Sequence, residues 1–117
     1  MGSGVLMSNK SERDALKSIG AKFHKNSGRN FTKGDGSDDT FVWDVKEANR
    51  SFSLTVPVWN KICTDAYKVD PYKNPGLFVI LNNDKRLAII EMNVLQQLLE
   101  YQRLYTEKEW KNHNDYT

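Results

Sequence analysis

The chain holds a single cysteine, Cys63, among its 117 residues. That excludes an internal disulfide and a thiolate zinc cluster, and it fits a reducing compartment, the cytoplasm or, for a viral protein, the host cytoplasm. Histidine is nearly as scarce: His24 and His113 are too few and too separated for a histidine metal site. Neither is spaced to activate Cys63, which falls in an apolar helical stripe with Trp59, Ile62 and Ala66 and reads as core. No apolar run approaches the roughly 20 residues needed to span a bilayer, so no membrane insertion is expected. Residues 1–7 lack the charged and apolar regions of a signal peptide and read as a disordered leader or expression remnant, leaving 8–117 as one domain. A net charge of only +2 points to focal rather than global attraction for a polyanion.

One further scarcity is local. From residue 15 to residue 34 there is no Asp or Glu, while Lys17, Lys22, Lys25, Arg29 and Lys33 all fall there. The balance then reverses within a short span containing Asp35, Asp38, Asp39, Asp44 and Glu47. A cation site needs clustered hard oxygen ligands and a polyanion needs Lys and Arg. An enzyme that uses a metal ion on a phosphodiester needs both, a few ångströms apart.

The periodicities place these residues on elements. Ser8 or Ser11 is suited to cap a helix running to about Ile19, with Gly20 at the left-handed residue that ends it. Its inward face is Glu12, Ala15, Leu16 and Ile19, which sets a carboxylate on or beside the packing face. That carboxylate also suits the first turn of a helix for dipole reasons alone. Residues 21–33 include Asn26, Ser27, Gly28, Arg29 and Asn30, a loop of small and amide side chains among cations. Residues 35–46 read as a hairpin, with the strand starting at Thr40. Alternation puts Phe41, Trp43 and Val45 on one face and Val42, Asp44 and Lys46 on the other, so a carboxylate and an ammonium stand side by side. An isolated Asp-x-Lys is commonly just a surface ion pair.

Pro57 suits the first turn of a second helix. Residues 70–76 break the chain. Residues 77–81 and 87–90 then form a second hairpin about a turn at 82–85, with strands apolar enough for burial on both faces. Asn93, with Gln96 reaching back, is suited to cap a last helix whose Leu95, Leu98, Leu99, Tyr101, Leu104 and Tyr105 form a stripe broader than a small sheet covers. The tail beyond Tyr105 is polar and expected to fray. The expected fold is α/β, a small mixed sheet of about four strands flanked by helices.

A carboxylate on the first helix (Glu12), a basic Ser-Gly loop (residues 26–30), then Lys33-Gly34-Asp35 and Asp44-Val45-Lys46 on a strand resemble the PD-(D/E)XK nuclease superfamily. More narrowly, residues 11–90 look like the small Holliday junction resolvases of archaea and bacteriophages. Gly34 stands where the family name has proline, and Asp44 stands where resolvases usually have the longer glutamate. The resemblance implies a restriction-endonuclease-like core and a metal-dependent endonuclease, with DNA four-way junctions as substrate. Asp35 and Asp44 would ligate Mg²⁺ or Mn²⁺, helped by the Val45 carbonyl, and Glu12 would complete the site directly or through water. Lys46 would orient or deprotonate the attacking water. Lys22, Lys25, Ser27, Arg29 and Lys33 would bind DNA. It also implies a homodimer, because symmetric cutting of a junction takes two active sites, with the last helix and the second hairpin as candidate interfaces. Two alternatives remain open: a restriction- or repair-type endonuclease on duplex or nicked DNA, and a catalytically silent nucleic-acid-binding module. Asp38 and Asp39 are either turn formers or spare ligands.

If the basic loop touches phosphates, each lost contact should reduce the slope of log affinity against log salt by about one unit. Arg29→Ala and Lys33→Ala, titrated on four-way and linear DNA with Ca²⁺ replacing Mg²⁺, should both show that reduction. Unchanged slopes would make the loop a connector.

Overall fold

A computed structural model describes the backbone of residues 2–24 and 35–114 and the side chains of residues 10–24 and 35–110. In chain order the elements are α1 (Gly2–Ser18), β1 (Lys22–Phe23), β2 (Gly36–Ser37), β3 (Phe41–Ala48), α2 (Val56–Val69), β4 (Asn74–Leu81), β5 (Lys85–Ile89) and α3 (Met92–Asn114). The fold is α/β, with three helices and one five-stranded mixed sheet in the order β1-β2-β3-β4-β5. All neighbouring pairs are antiparallel except β3 and β4, which run parallel and are joined by α2. The expectation of about four strands missed β1, whose two residues are too few to carry a period-two signal.

Helix α1 begins well before the expected cap at Ser8 or Ser11 and takes in residues of the stretch read as a leader. Its end follows the glycine logic. Gly20 has φ 76°, its N–H donates to the Lys17 carbonyl (3.1 Å), and the Ala21 N–H donates to the Leu16 carbonyl (2.9 Å). Those two bonds form a Schellman cap, and Leu16 and Ala21 are buried in the same cluster, as that motif favours. Ala15 and Leu16 are fully buried, whereas Ile19 is exposed because the chain is already leaving the helix there.

The sheet separates two cores. On one face Phe41, Trp43 and Val45 of β3 meet Ala15 and Leu16 of α1, Phe78 and Ile80 of β4 and Val94 of α3. On the other, Leu77 and Val79 of β4 pack with Ile62 of α2, flanked by Trp59 and Phe52. Helix α2 starts as its sequence dictates: the Thr55 hydroxyl accepts from the Val58 N–H (3.3 Å), and Pro57 occupies the first turn, where its missing N–H costs nothing. The β4–β5 turn puts Asn82 and Asn83 at φ 53° and 61°, the left-handed pair of a type I′-like hairpin.

Three expectations are corrected. Strand β4 starts at Asn74 rather than Leu77, with Pro75 near its beginning, where a strand tolerates the missing donor. Strand β4 is buried on both faces, but β5 is a mostly exposed edge strand, with Leu87 half exposed, because nothing lies beyond it in the sheet. Helix α3 is not capped by Asn93. The Glu91 carbonyl accepts from the N–H groups of Val94 (3.0 Å) and Leu95 (3.2 Å), so Asn93 is already inside the helix, which runs on through Asn114 instead of fraying after Tyr105.

Trp43 and Gly76 face each other in the β3–β4 register, and the indole lies over the glycine. A Cβ built at Gly76 would come within 2.6 Å of two ring carbons of Trp43. The ring is held from other sides by Phe41 (centroids 4.8 Å apart) and Phe78 (6.4 Å, edge to face), so it has little room to retreat. Gly76→Ala should therefore cost about 2 kcal/mol of unfolding free energy, the usual scale of core overpacking, measured by urea titration. A loss below about 0.5 kcal/mol would mean that the indole moves aside freely.

Candidate active site

The β2–β3 register sets the acids. Gly36 pairs with Trp43 and Ser37 with Val42, which ends the ladder at Gly36 and leaves Asp35 at the edge of β2 beside the Trp43–Val45 stretch of β3. Two bonds tie Asp35 to β3: its N–H donates to the Trp43 carbonyl (2.8 Å), and its Oδ2 accepts from the Val45 N–H (2.6 Å). Asp44 pairs with Leu77 of β4, deep in the sheet, and its side chain is only 23% exposed. Lys46, two residues on and on the same face, brings Nζ to 3.3 Å from Asp44 Oδ2. That contact is an ion pair without hydrogen-bond alignment, so the buried Oδ2 has a compensating charge and no donor. The ammonium itself is half exposed.

Glu12 reaches the same region from α1, one turn before the buried Ala15 and Leu16. Burial pushes its carboxyl up to about 7, and the negative charges of Asp35, Glu47 and Asp44 add to the rise while Lys46 opposes it. Helix and sheet thus bring Glu12, Asp35, Asp44 and Lys46 into one electrostatic neighbourhood. For Val45 the observed contact is through its N–H, not the carbonyl expected to ligate a metal.

The donor set suits a hard divalent cation. Mg²⁺ keeps several waters and commonly takes one or two carboxylates, which Asp35 and Asp44 supply from adjacent strands, and the donorless Asp44 oxygen is the sort of atom that a cation satisfies. Among the described residues, no group of three or more His, Cys, Asp or Glu side chains is placed so that it could hold a metal ion. The arrangement therefore matches a site of two principal ligands more closely than a rigid all-protein one.

Asp38 is a turn former. Its Oδ1 accepts from the N–H groups of Thr40 (2.8 Å) and Phe41 (2.7 Å), and its Oδ2 accepts from Trp43 Nε1 (2.9 Å), which leaves it no part as a spare ligand. Asp39 is exposed beside it. Cys63 is half-buried, and burial together with Glu91 pushes its thiol up, the opposite of an activated nucleophile. Lys22 is exposed on β1, paired with Ser37. Lys25, Ser27, Arg29 and Lys33 lie outside the described residues. The described residues on either side of that segment meet, the His24 N–H donating to the Asp35 carbonyl (2.8 Å).

Glu47 belongs to the acidic span read from the sequence without a site role, and Asp65 lies outside that span. Glu47 accepts from the Ser11 hydroxyl (2.6 Å) and raises the Glu12 carboxyl. Its alternation with Val45, toward the α1 face, was the available signal. Asp65 of α2, paired with Lys61 (2.8 Å), lines a small crevice with Asp44, Val42 and Ile62. Only the packing of α2 on the sheet brings it there, and no spacing in the sequence indicates it. A larger cleft of about 500 Å³ lies elsewhere, between Ile19, Phe41, Trp43, Phe78 and Leu87, and includes none of Asp35, Asp44 or Lys46. The chain matches no family model, no curated protein and no solved structure.

A carboxyl raised from 4.5 to about 7 binds more protons folded than unfolded, so its charge destabilises the fold increasingly as pH rises through that window. Solvent screening of a half-exposed group reduces the effect to about 1 kcal/mol. Glu12→Gln should thus stabilise the protein by about that much at pH 8 and change nothing at pH 4. Urea titrations at the two pH values measure it. An equal effect at both would remove the electrostatic strain assigned to Glu12.

Proposed function

We propose that the chain is a metal-dependent DNA endonuclease of the PD-(D/E)XK type, acting on four-way junctions as a homodimer. The observation that carries this reading is the convergence of the Asp35 and Asp44 charges on Glu12, with Lys46 Nζ 3.3 Å from the Asp44 carboxylate. Carboxylates gathered in one neighbourhood disfavour one another's ionised forms. Adding Glu12 and Glu47 makes the cluster worse for folding and better for holding a cation.

Asp35 and Asp44 would hold Mg²⁺ or Mn²⁺, with Glu12 joining directly or through water. Bound there, the ion supplies Lewis-acid stabilisation of charge on a phosphodiester. The protein's own groups do the rest. Lys46 orients the attacking water or offsets charge that builds on the phosphate, and Asp44 keeps that ammonium in place. The Val45 N–H fixes the Asp35 carboxylate against β3. Lys22 and the cations of residues 25–33, whose segment begins and ends beside the acids, hold the DNA backbone at the site.

The direct test incubates a labelled synthetic four-way junction and a matched linear duplex with Mg²⁺. Cleavage of the junction alone supports the resolvase. Cleavage of both makes the chain a general endonuclease, and cleavage of neither leaves a nucleic-acid-binding module.

Asp35→Asn and Asp44→Asn should each abolish cutting while junction binding in Ca²⁺ stays near wild type. Lys46→Ala should slow single-turnover cleavage by roughly two to three decades, the scale of losing one positioned electrostatic group. A rate within about threefold of wild type would return Lys46 to an ordinary surface pair.

A further inference from the structure

Strand β5 (Lys85–Ile89) ends the sheet. It pairs with β4 on one side, and among the described residues no backbone hydrogen bond reaches it from the other. Its first four residues are exposed, and Ile89 is partly covered by the core under α2. An edge of this kind offers a row of N–H and C=O groups to any extended chain that can lie alongside. Charge is the usual way to blunt such an edge, and β5 carries it only in its first half, at Lys85 and Arg86. Leu87, Ala88 and Ile89 follow with none. Neither cation forms an ion pair among the described residues.

The edge adjoins the larger cleft. Arg86 pairs with Ile80 and Ala88 with Phe78, and both partners belong to the core that faces α1, so Arg86 and Ala88 stand on that face of the sheet. Both line the cleft of about 500 Å³, together with Ile19, Phe41 and Phe78. Lys85 and Leu87 stand on the opposite face, across from Leu81 and Val79. The acids that line the cleft, Asp38 and Asp39, precede β3, and Asp38 is held by Trp43 and its own turn. A strand added beside β5 would lie about 4.8 Å from it and project every second side chain on the cleft side. There the small Ala88 leaves space for a large neighbour.

We propose that the β5 edge takes up an extended peptide of a partner protein, with apolar side chains opposite Ile89, Ala88 and Leu87 followed by carboxylates opposite Arg86 and Lys85. The order is that of an antiparallel strand, the more stable pairing per residue. Main-chain bonds give such a contact its strength, and side chains select the partner. The apolar side chain opposite Ala88 enters the cleft. Opposite charges across a strand pair are favourable and like charges are not, so Lys85 and Arg86 reject a basic strand while admitting an acidic one. The cleft includes none of Asp35, Asp44 or Lys46, so the contact stands apart from the nuclease reading.

The test titrates the full chain into a fluorescein-labelled peptide with the core Val-Phe-Val-Glu-Glu between short Ser-Gly flanks, read by fluorescence anisotropy. Saturable binding is expected with a dissociation constant of roughly 10–100 µM, the range of a small transient contact. Replacing both peptide Glu by Lys, or making Arg86→Glu in the protein, should weaken it about tenfold. Arg86→Glu should in turn bind the Lys-bearing peptide better than wild type does, a rescue that misfolding cannot produce. Methylating one alternate set of peptide amide nitrogens should abolish binding while methylating the other set is tolerated, because an added strand turns only every second amide toward β5. No saturation below about 1 mM would overturn the proposal. Equal tolerance of both methylated sets would overturn it too, leaving charge attraction to the basic segment as the cause, as would an Arg86→Glu chain that binds the acidic peptide like wild type. A solution mass that falls when the peptide is added would give the edge to a second copy of the chain and likewise overturn it.

Discussion

The structure depends on the seating of Trp43. Its indole lies across Gly76 on β4, stacks obliquely on Phe41, meets Phe78 edge-on and donates Nε1–H to Asp38. A buried indole needs a partner for its one donor, and Asp38 supplies it while its other oxygen takes the Thr40 and Phe41 N–H groups. One carboxylate thereby ties the turn before β3 to the residue that anchors β3. Register follows, since sliding β3 by one residue would turn Trp43 out of its slot and carry Asp44 to the other face. The faces on which Asp44 and Lys46 stand are thus fixed by an aromatic group that has no chemistry of its own.

Around that anchor the protein accepts an electrostatic conflict. Glu12, Asp35, Asp44 and Glu47 share one neighbourhood with the Lys46 ammonium, and burial together with those negative charges raises the Glu12 carboxyl toward neutrality. Packing alone would favour apolar residues at half-buried positions such as Asp44. Local choices that oppose stability without an evident packing gain are where function is expected to reside. A divalent cation would reverse the sign of the problem, turning mutual repulsion into shared coordination.

Helix α3 shows a second departure from self-sufficiency. Arg103 pairs with Glu100 and approaches Glu107 along the helix, and of its apolar stripe Val94 is buried while Leu98, Tyr101 and Tyr105 are exposed. The two departures differ in kind. The acids are crowded by one another, whereas most of the α3 stripe is exposed among the described residues.

Much of this was determined by the sequence alone, and always where the cause is local. The left-handed cap at Gly20, the start of α2 at Thr55 and Pro57, the asparagine turn between β4 and β5, and the common face of Phe41, Trp43 and Val45 follow from backbone sterics and from alternation within a few residues. Asp44 beside Lys46 was legible for the same reason. Tertiary structure decided what depends on residues distant in the chain. The docking of Asp35 on the Trp43–Val45 stretch needed β2 against β3, and the place of Glu47 and Asp65 near the acids needed α1 and α2 on their respective faces of the sheet. The short β1 left no periodic trace, and the exposure of β5 came from its position at the sheet edge rather than from its composition. Periodicity tells which side of an element is apolar. Only the packed structure tells whether anything lies against it, because burial is a property of neighbours that the chain brings together across dozens of residues.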